Sequence, residues 1–201
     1  MTLVERALLA RHAESEFSVR GVTNGEPGIA GGLTELGRAQ AGQLAGKLAS
    51  VLIELCAVSE FQRARETADI ALAGREVPRL VVSELNDIRF GEFEGRPLTE
   101  YRAWAHAHGP EDVVPGGDSR VQTVARYARA YRTILALPEE TVLMVAHGLP
   151  VRYVLDALEG RNPAAAVAQV PYAEPFRLSE DELREAVELL DAWVASPAWA
   201  T

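Results

Sequence analysis

The stretch TVLMVAHG, residues 141–148, decides the fold. Its first six residues are almost continuously apolar, the composition of a strand covered on both faces and so of a central strand in a parallel sheet. Pro150, just beyond the His-Gly turn, suits the first turn of a following helix. Working outward, the same pattern recurs: ALLA (7–10) runs into Arg11-His12, LCAV (55–58) into Ser59, and LVV (80–82) into Glu84 and Asp87. Helical stretches separate these runs. Residues 34–55 place Leu36, Leu44, Leu48, Val51 and Leu55 close to one face. SEFQ (59–62) reads as a capping box opening a helix to Ala71, residues 121–137 as another helix, and SEDE (179–182) as the capping box of a last amphipathic helix carrying Leu183, Val187, Leu190 and Val194. Residues 169–176 are expected to form an edge strand, because Pro171 and Pro175 suit no central one. The prediction is an α/β fold, a three-layer α/β/α sandwich with a mostly parallel central sheet.

At 201 residues the chain fits one domain, residues 1–201. Regular alternation fails over residues 88–117, where Gly91, Gly95, Pro97, Gly109, Pro110, Pro115 and Gly116-Gly117 surround a short helical patch near Trp104. This segment is read as an excursion over the active end of the sheet. A net charge of −9 argues against nucleic acid and anionic membranes as partners. Cys56 is the sole cysteine and lies in an apolar run, so it is expected to be buried and inert. No signal peptide or membrane span is legible, which makes the cytoplasm the expected location. An edge strand or an apolar face is compatible with a homodimer.

Ligands of open α/β sheets gather beyond the carboxyl ends of the strands. Here those ends carry Arg11, His12, Asp87 and His147, with Arg63 at the start of the helix after the second run. Paired arginines present planar donor forks to phosphate oxygens, a helix N-terminus adds free N–H groups, and a neutral imidazole is a competent nucleophile toward phosphorus. The set fits a phosphoryl group. No metal and no cofactor are called for.

These segments resemble the histidine phosphatase (phosphoglycerate mutase-like) superfamily. LLARHAES is similar to its strand-plus-RHG signature, and GLTELGRAQA (32–41) to the stretch that follows. SEFQRARETA (59–68), LNDIRFGEFEG (85–95), PGGDS (115–119) and VAHG (145–148) resemble its later elements, in the family's order. The resemblance implies a phosphoglycerate mutase-like fold, His12 as nucleophile, Asp87 as acid/base, and Arg11, Arg63 and His147 on the substrate phosphate. The chain departs from the family at Ala13 for glycine, which requires a backbone with negative φ there. Ser18 stands for the frequent asparagine, Glu66 for glutamine, and Asp87 for the commoner glutamate, with Glu84 as the reserve acid/base. The RHGxRxP signature of the acid phosphatase and phytase branch is absent.

The expected function is hydrolysis of a small phosphorylated metabolite through a phosphohistidine on His12. Phosphoglycerate mutase-type transfer is the runner-up, because the excursion and tail offer no obvious basic cluster for a second anion. A non-catalytic phosphate-binding module is the third reading. His106 and His108 are expected at the surface or the substrate rim, Trp104 and Phe93 in packing, and the arginines from Arg120 to Arg132 on a solvated helix face.

Overall fold

A computed structural model describes residues 5–199. Strand β1 (Glu5–Arg11), β2 (Leu55–Val58), β3 (Arg79–Val81), β4 (Val142–Ala146) and β5 (Pro175–Ser179) form one sheet in the order β3-β2-β4-β1-β5. Every pairing is parallel except β1 with β5. The helices are α1 (Glu16–Arg20), α2 (Glu35–Leu48), α3 (Gln62–Ala71), α4 (Leu98–Ala107), α5 (Arg120–Leu135), α6 (Gly148–Leu158) and α7 (Glu180–Ala195).

The apolar run of β4 is explained by two cores. Successive side chains of a strand point to opposite faces. Val142, Met144 and Ala146 join Ala7 and Leu9 in a core with Tyr127 and Tyr131 of α5, Val154 of α6 and Leu190 of α7. Leu143 and Val145 join Leu8 and Ala10 in a second core with Leu44 and Leu48 of α2 and Ala64 and Ala68 of α3. The three layers and the mostly parallel sheet are therefore as expected from sequence.

Several boundaries differ. Helix α2 stops at Leu48, not near Leu55, and Leu36 is exposed, so the leucine face is shorter than its spacing indicated. Edge strand β5 begins at Pro175; residues 169–174 are irregular apart from an isolated Arg11–Tyr172 bridge. Pro175 is thus the first strand residue, where a missing N–H is tolerated. SEFQ is not a capping box: Phe61 is the N-cap of α3, with no side-chain hydrogen bond. The box at Ser179–Glu182 is present, and a further one at Ser119–Gln122 opens α5.

The excursion holds a small core of its own, with Ile88, Phe90, Phe93, Tyr101, Ala105 and Val114 buried and Trp104 packed against them. Its glycines serve a close backbone approach. Gly91 has φ +53°, and a Cβ there would lie 2.2 Å from the Pro115 carbonyl oxygen. A Cβ on Gly117 would lie 2.4 Å from the Arg89 carbonyl oxygen, so the PGG turn fits only without side chains. Cys56 is fully buried and its thiol is pushed up to about 12 by desolvation, which leaves it inert.

Candidate active site

The carboxyl ends of β1, β2 and β4 lie side by side, and the residues that follow them meet. His12 follows β1, Ser59 follows β2, His147 follows β4 as the N-cap of α6, and Arg63 sits in the first turn of α3. His12 and His147 are buried, with ring centroids 5.3 Å apart in an edge arrangement.

Arg63 is the hub. Its Nε donates to His12 Nε2 at 3.2 Å and its Nη2 to His147 Nδ1 at 3.2 Å. His12 Nδ1 lies 2.7 Å from the Ala13 carbonyl, so the tautomer that satisfies both contacts carries its proton on Nδ1 and leaves Nε2 unprotonated, its lone pair accepting from Arg63. His147 takes the opposite tautomer, with Nε2–H donating to Ser59 Oγ at 2.9 Å. Desolvation by burial, then the positive charges of Arg63 and Arg11, hold the His12 pKa well below its usual value. Desolvation, then Arg63, do the same for His147. Both imidazoles are neutral near pH 7.

Asp87 Oδ2 lies 3.7 Å from both Arg63 Nη2 and His147 Nδ1. Burial raises its pKa above the ordinary carboxylate value, against the opposing pull of Arg63, the Ile88 N–H and Arg11. The structure thus brings Asp87 to Arg63 and His147. Glu84, the reserve candidate, instead contacts Ser83.

Arg11 reaches the site from the last residue of β1. Its guanidinium stacks 4.0 Å over the Tyr172 ring and donates from Nη1 to the Val170 carbonyl at 2.9 Å. Its buried Nε has no hydrogen-bond partner, so a donor is free for an anion. Helices α3 and α6 both start at the site without side-chain caps, leaving first-turn N–H groups for the same purpose. Ala13 has no positive φ, and its N–H donates to Thr67 Oγ1 at 3.0 Å, which is why alanine is tolerated there.

Sequence reasoning missed four contributors. Asn24 is buried and accepts from Arg63 through both its side-chain oxygen and, at 3.0 Å, its backbone carbonyl. Ser18, the position expected to carry the asparagine, bonds to Ser15, at 2.9 Å through its hydroxyl and 3.4 Å through its N–H, and its carbonyl accepts from the Gly21 N–H at 3.2 Å. Ser59 orients His147 instead of capping α3. Arg126 donates to the carbonyls of Glu84, Asn86 and Asp87 at 3.1, 2.6 and 3.0 Å, clamping the turn that carries Asp87. Arg120 is only 5% exposed and lines the pocket in front of Arg11 and Asp87. The solvated face expected for Arg120 to Arg132 is corrected at these two positions, because the excursion and α6 cover that side of α5; Arg132 does face solvent, paired with Asp191. The sequence signals for them were the Asn-Gly pair at residues 24–25 of a glycine-rich loop and the place of Ser59 at a strand end; Arg120 and Arg126 carried none.

The pocket in front of Arg11 and Asp87 has a volume of about 190 Å³ and is walled by Phe90, Leu98, Tyr101 and Leu149, with residues 165–170 on its far side. His106 is exposed, and exposed His108 stacks on Trp104 with ring centroids 4.3 Å apart. Among the described residues, no group of three or more histidines, cysteines and carboxylates is arranged to hold a metal ion. No described helix is long and apolar enough to cross a membrane.

At the carboxyl edge of a mostly parallel sheet, a pocket lined by Arg11 and Asp87 adjoins a buried cluster of two neutral histidines and Arg63, and Asp87, with its raised pKa, belongs to both. The chain belongs to the histidine phosphatase superfamily (branch 1), whose sequence profile matches residues 7–191. It is 40% identical over 154 residues to the adenosylcobalamin/alpha-ribazole phosphatase of Salmonella typhimurium, covering 71% of this chain and 73% of that one. It is 31% identical to the 2,3-bisphosphoglycerate-dependent phosphoglycerate mutase of Brucella melitensis, covering 92% and 98%. Among solved structures, a mycobacterial glucosyl-3-phosphoglycerate phosphatase in complex with VO3 superimposes with a TM-score of 0.70 at 26% identity, covering 86% of this chain and 92% of that one.

Proposed function

We propose that this protein is a metal-independent phosphatase of small phosphomonoesters that works through a phosphohistidine on His12. The observation that carries the reading is the unprotonated Nε2 of His12, which accepts from Arg63 and can exchange that contact for phosphorus, in an imidazole held neutral while Asp87 stands by with a raised pKa. In the first step His12 Nε2 attacks phosphorus in line. The bond from phosphorus to the leaving oxygen breaks, and protonated Asp87 gives its proton to that oxygen. In the second step carboxylate Asp87 takes a proton from water, whose oxygen attacks phosphorus. The P–N bond breaks, and inorganic phosphate and neutral His12 are regenerated. Arg11 and Arg63 hold the transferring group, while His147, whose two ring nitrogens are engaged by Ser59 and Arg63, joins Asn24 in keeping the Arg63 guanidinium in place.

Hydrolysis of 4-nitrophenyl phosphate in excess EDTA tests this. Turnover that survives EDTA and falls at least about a thousandfold in His12→Ala is expected. Turnover abolished by EDTA, or retained without His12, overturns the mechanism. The Brucella relative keeps phosphoglycerate mutase-type transfer as the second reading; supplying 3-phosphoglycerate and measuring free phosphate against 2-phosphoglycerate separates the two.

A further inference from the structure

Arg120 presents an unbalanced charge. It is the first residue of α5, almost fully buried, and its partners are neutral: Nε donates to the Tyr101 hydroxyl at 2.7 Å, Nη1 to the Tyr153 hydroxyl at 2.5 Å and Nη2 to the Ala165 carbonyl at 3.3 Å. Among the described residues no carboxylate pairs with it. A guanidinium has five N–H donors, and three are used. The two that remain sit one on each terminal nitrogen, the number that a carboxylate engages bidentately. A buried cation is ordinarily paired, because desolvating a lone charge is costly. Arg120 lines the same pocket as Arg11 and Asp87, with exposed Arg102 on its rim and apolar Phe90, Leu98 and Leu149 among the other walls.

We propose that Arg120 is a second anion subsite, so that the preferred substrate is a phosphomonoester whose leaving group carries a carboxylate at the far end of an apolar body. The phosphoryl group lies at His12 and Arg11, the body crosses the apolar walls, and the carboxylate completes the coordination of Arg120. This supplies the second cationic point that the sequence did not disclose, and it rests on the phosphatase reading of the same pocket.

The test compares 4-carboxyphenyl phosphate with its neutral isostere 4-carbamoylphenyl phosphate, and the corresponding meta pair to vary reach. In the parent protein kcat/KM is expected to favour the carboxylate at least tenfold in one pair, chiefly through KM, and Arg120→Met is expected to bring that ratio to near one. Arg120→Lys should keep part of it. A parent ratio near one in both pairs overturns the proposal, as does a ratio unchanged in Arg120→Met. A purely structural Arg120 would lower both members of a pair together and leave the ratio intact. The parent ratio needs no variant, so a poorly folding Arg120→Met does not shield the idea. Loss of 4-nitrophenyl phosphate turnover is a separate failure, that of the phosphatase reading. In that case calorimetric binding of the same pairs decides, with tighter binding of the carboxylate expected and equal binding fatal.

Discussion

His12 and Asp87 receive opposite shifts from one cause. Burial disfavours charge, so it lowers the imidazole and raises the carboxyl, and each is driven toward the neutral form that the proposed first step requires. Asp87→Asn removes the proton donor and leaves the nucleophile. Because 4-nitrophenolate departs with little help, kcat/KM, which covers only the steps up to the phosphohistidine, is expected to fall about tenfold on 4-nitrophenyl phosphate but about 10²–10⁴-fold on an alkyl phosphate, while loss of the base lowers kcat on both. Alkyl phosphate turnover in the parent should fall as pH rises through the raised Asp87 pKa, since the protonated acid disappears. Equal losses in kcat/KM on the two substrates would remove Asp87 from the acid role. His12, Arg63, Asp87 and His147 were all legible as residues at strand ends or a first helical turn. Asn24 was not, because its value lies in a contact with Arg63 made by a loop 39 residues away in the chain. Local pattern carries no record of such a contact.

At the scale of elements, serine makes the distinction. Ser179 and Ser59 head similar sequence patterns, S-x-x-E/Q before an apolar stretch, yet only Ser179 caps a helix. Ser59 is fully buried between β2 and α3, and its hydroxyl is turned to His147. The two alanine variants should therefore part company. Ser179→Ala is expected to cost about 1 kcal/mol and about 2–4 °C in Tm, with kcat/KM unchanged. Ser59→Ala is expected to reduce kcat/KM several-fold, because the His147 N–H loses its acceptor and the ring its orientation. Activity loss in Ser179→Ala, or none in Ser59→Ala, would contradict this assignment. The excursion shows the same limit of pattern reading. Its glycines signalled irregular backbone, but that Gly91 and Gly117 interlock emerges only when residues 26 positions apart meet.

For the whole molecule, the buried histidines set the acid limit of stability. A group whose pKa is lowered by folding stabilises the fold above its unfolded pKa and withdraws that contribution as pH falls. For His12 and His147 the loss begins near their unfolded value of about 6.5 and continues downward. Each contributes about 1.4 kcal/mol per pH unit over that range. Asp87 acts in the opposite sense: its raised pKa favours the folded form at low pH, a contribution lost as pH rises through that value. With two histidines against one carboxyl, Tm is expected to fall between pH 7 and pH 5, and His12→Asn should flatten that fall. A Tm independent of pH over this range would mean that the imidazoles are not held neutral.

The sequence by itself determined the layered α/β architecture, since apolar runs of strand length between amphipathic helices can be buried only by a sheet covered on both faces. It also determined which residues stand at the carboxyl edge, because that follows from chain order alone. Only the tertiary structure decided how those residues are held and charged: which tautomer each histidine takes, that Arg63 links both of them to Asn24, that Arg126 clamps the Asp87 turn, and that Arg120 is buried beside the pocket instead of facing water. These depend on burial and on contacts between distant segments. A given residue type is compatible with many such environments, and the packed fold selects one.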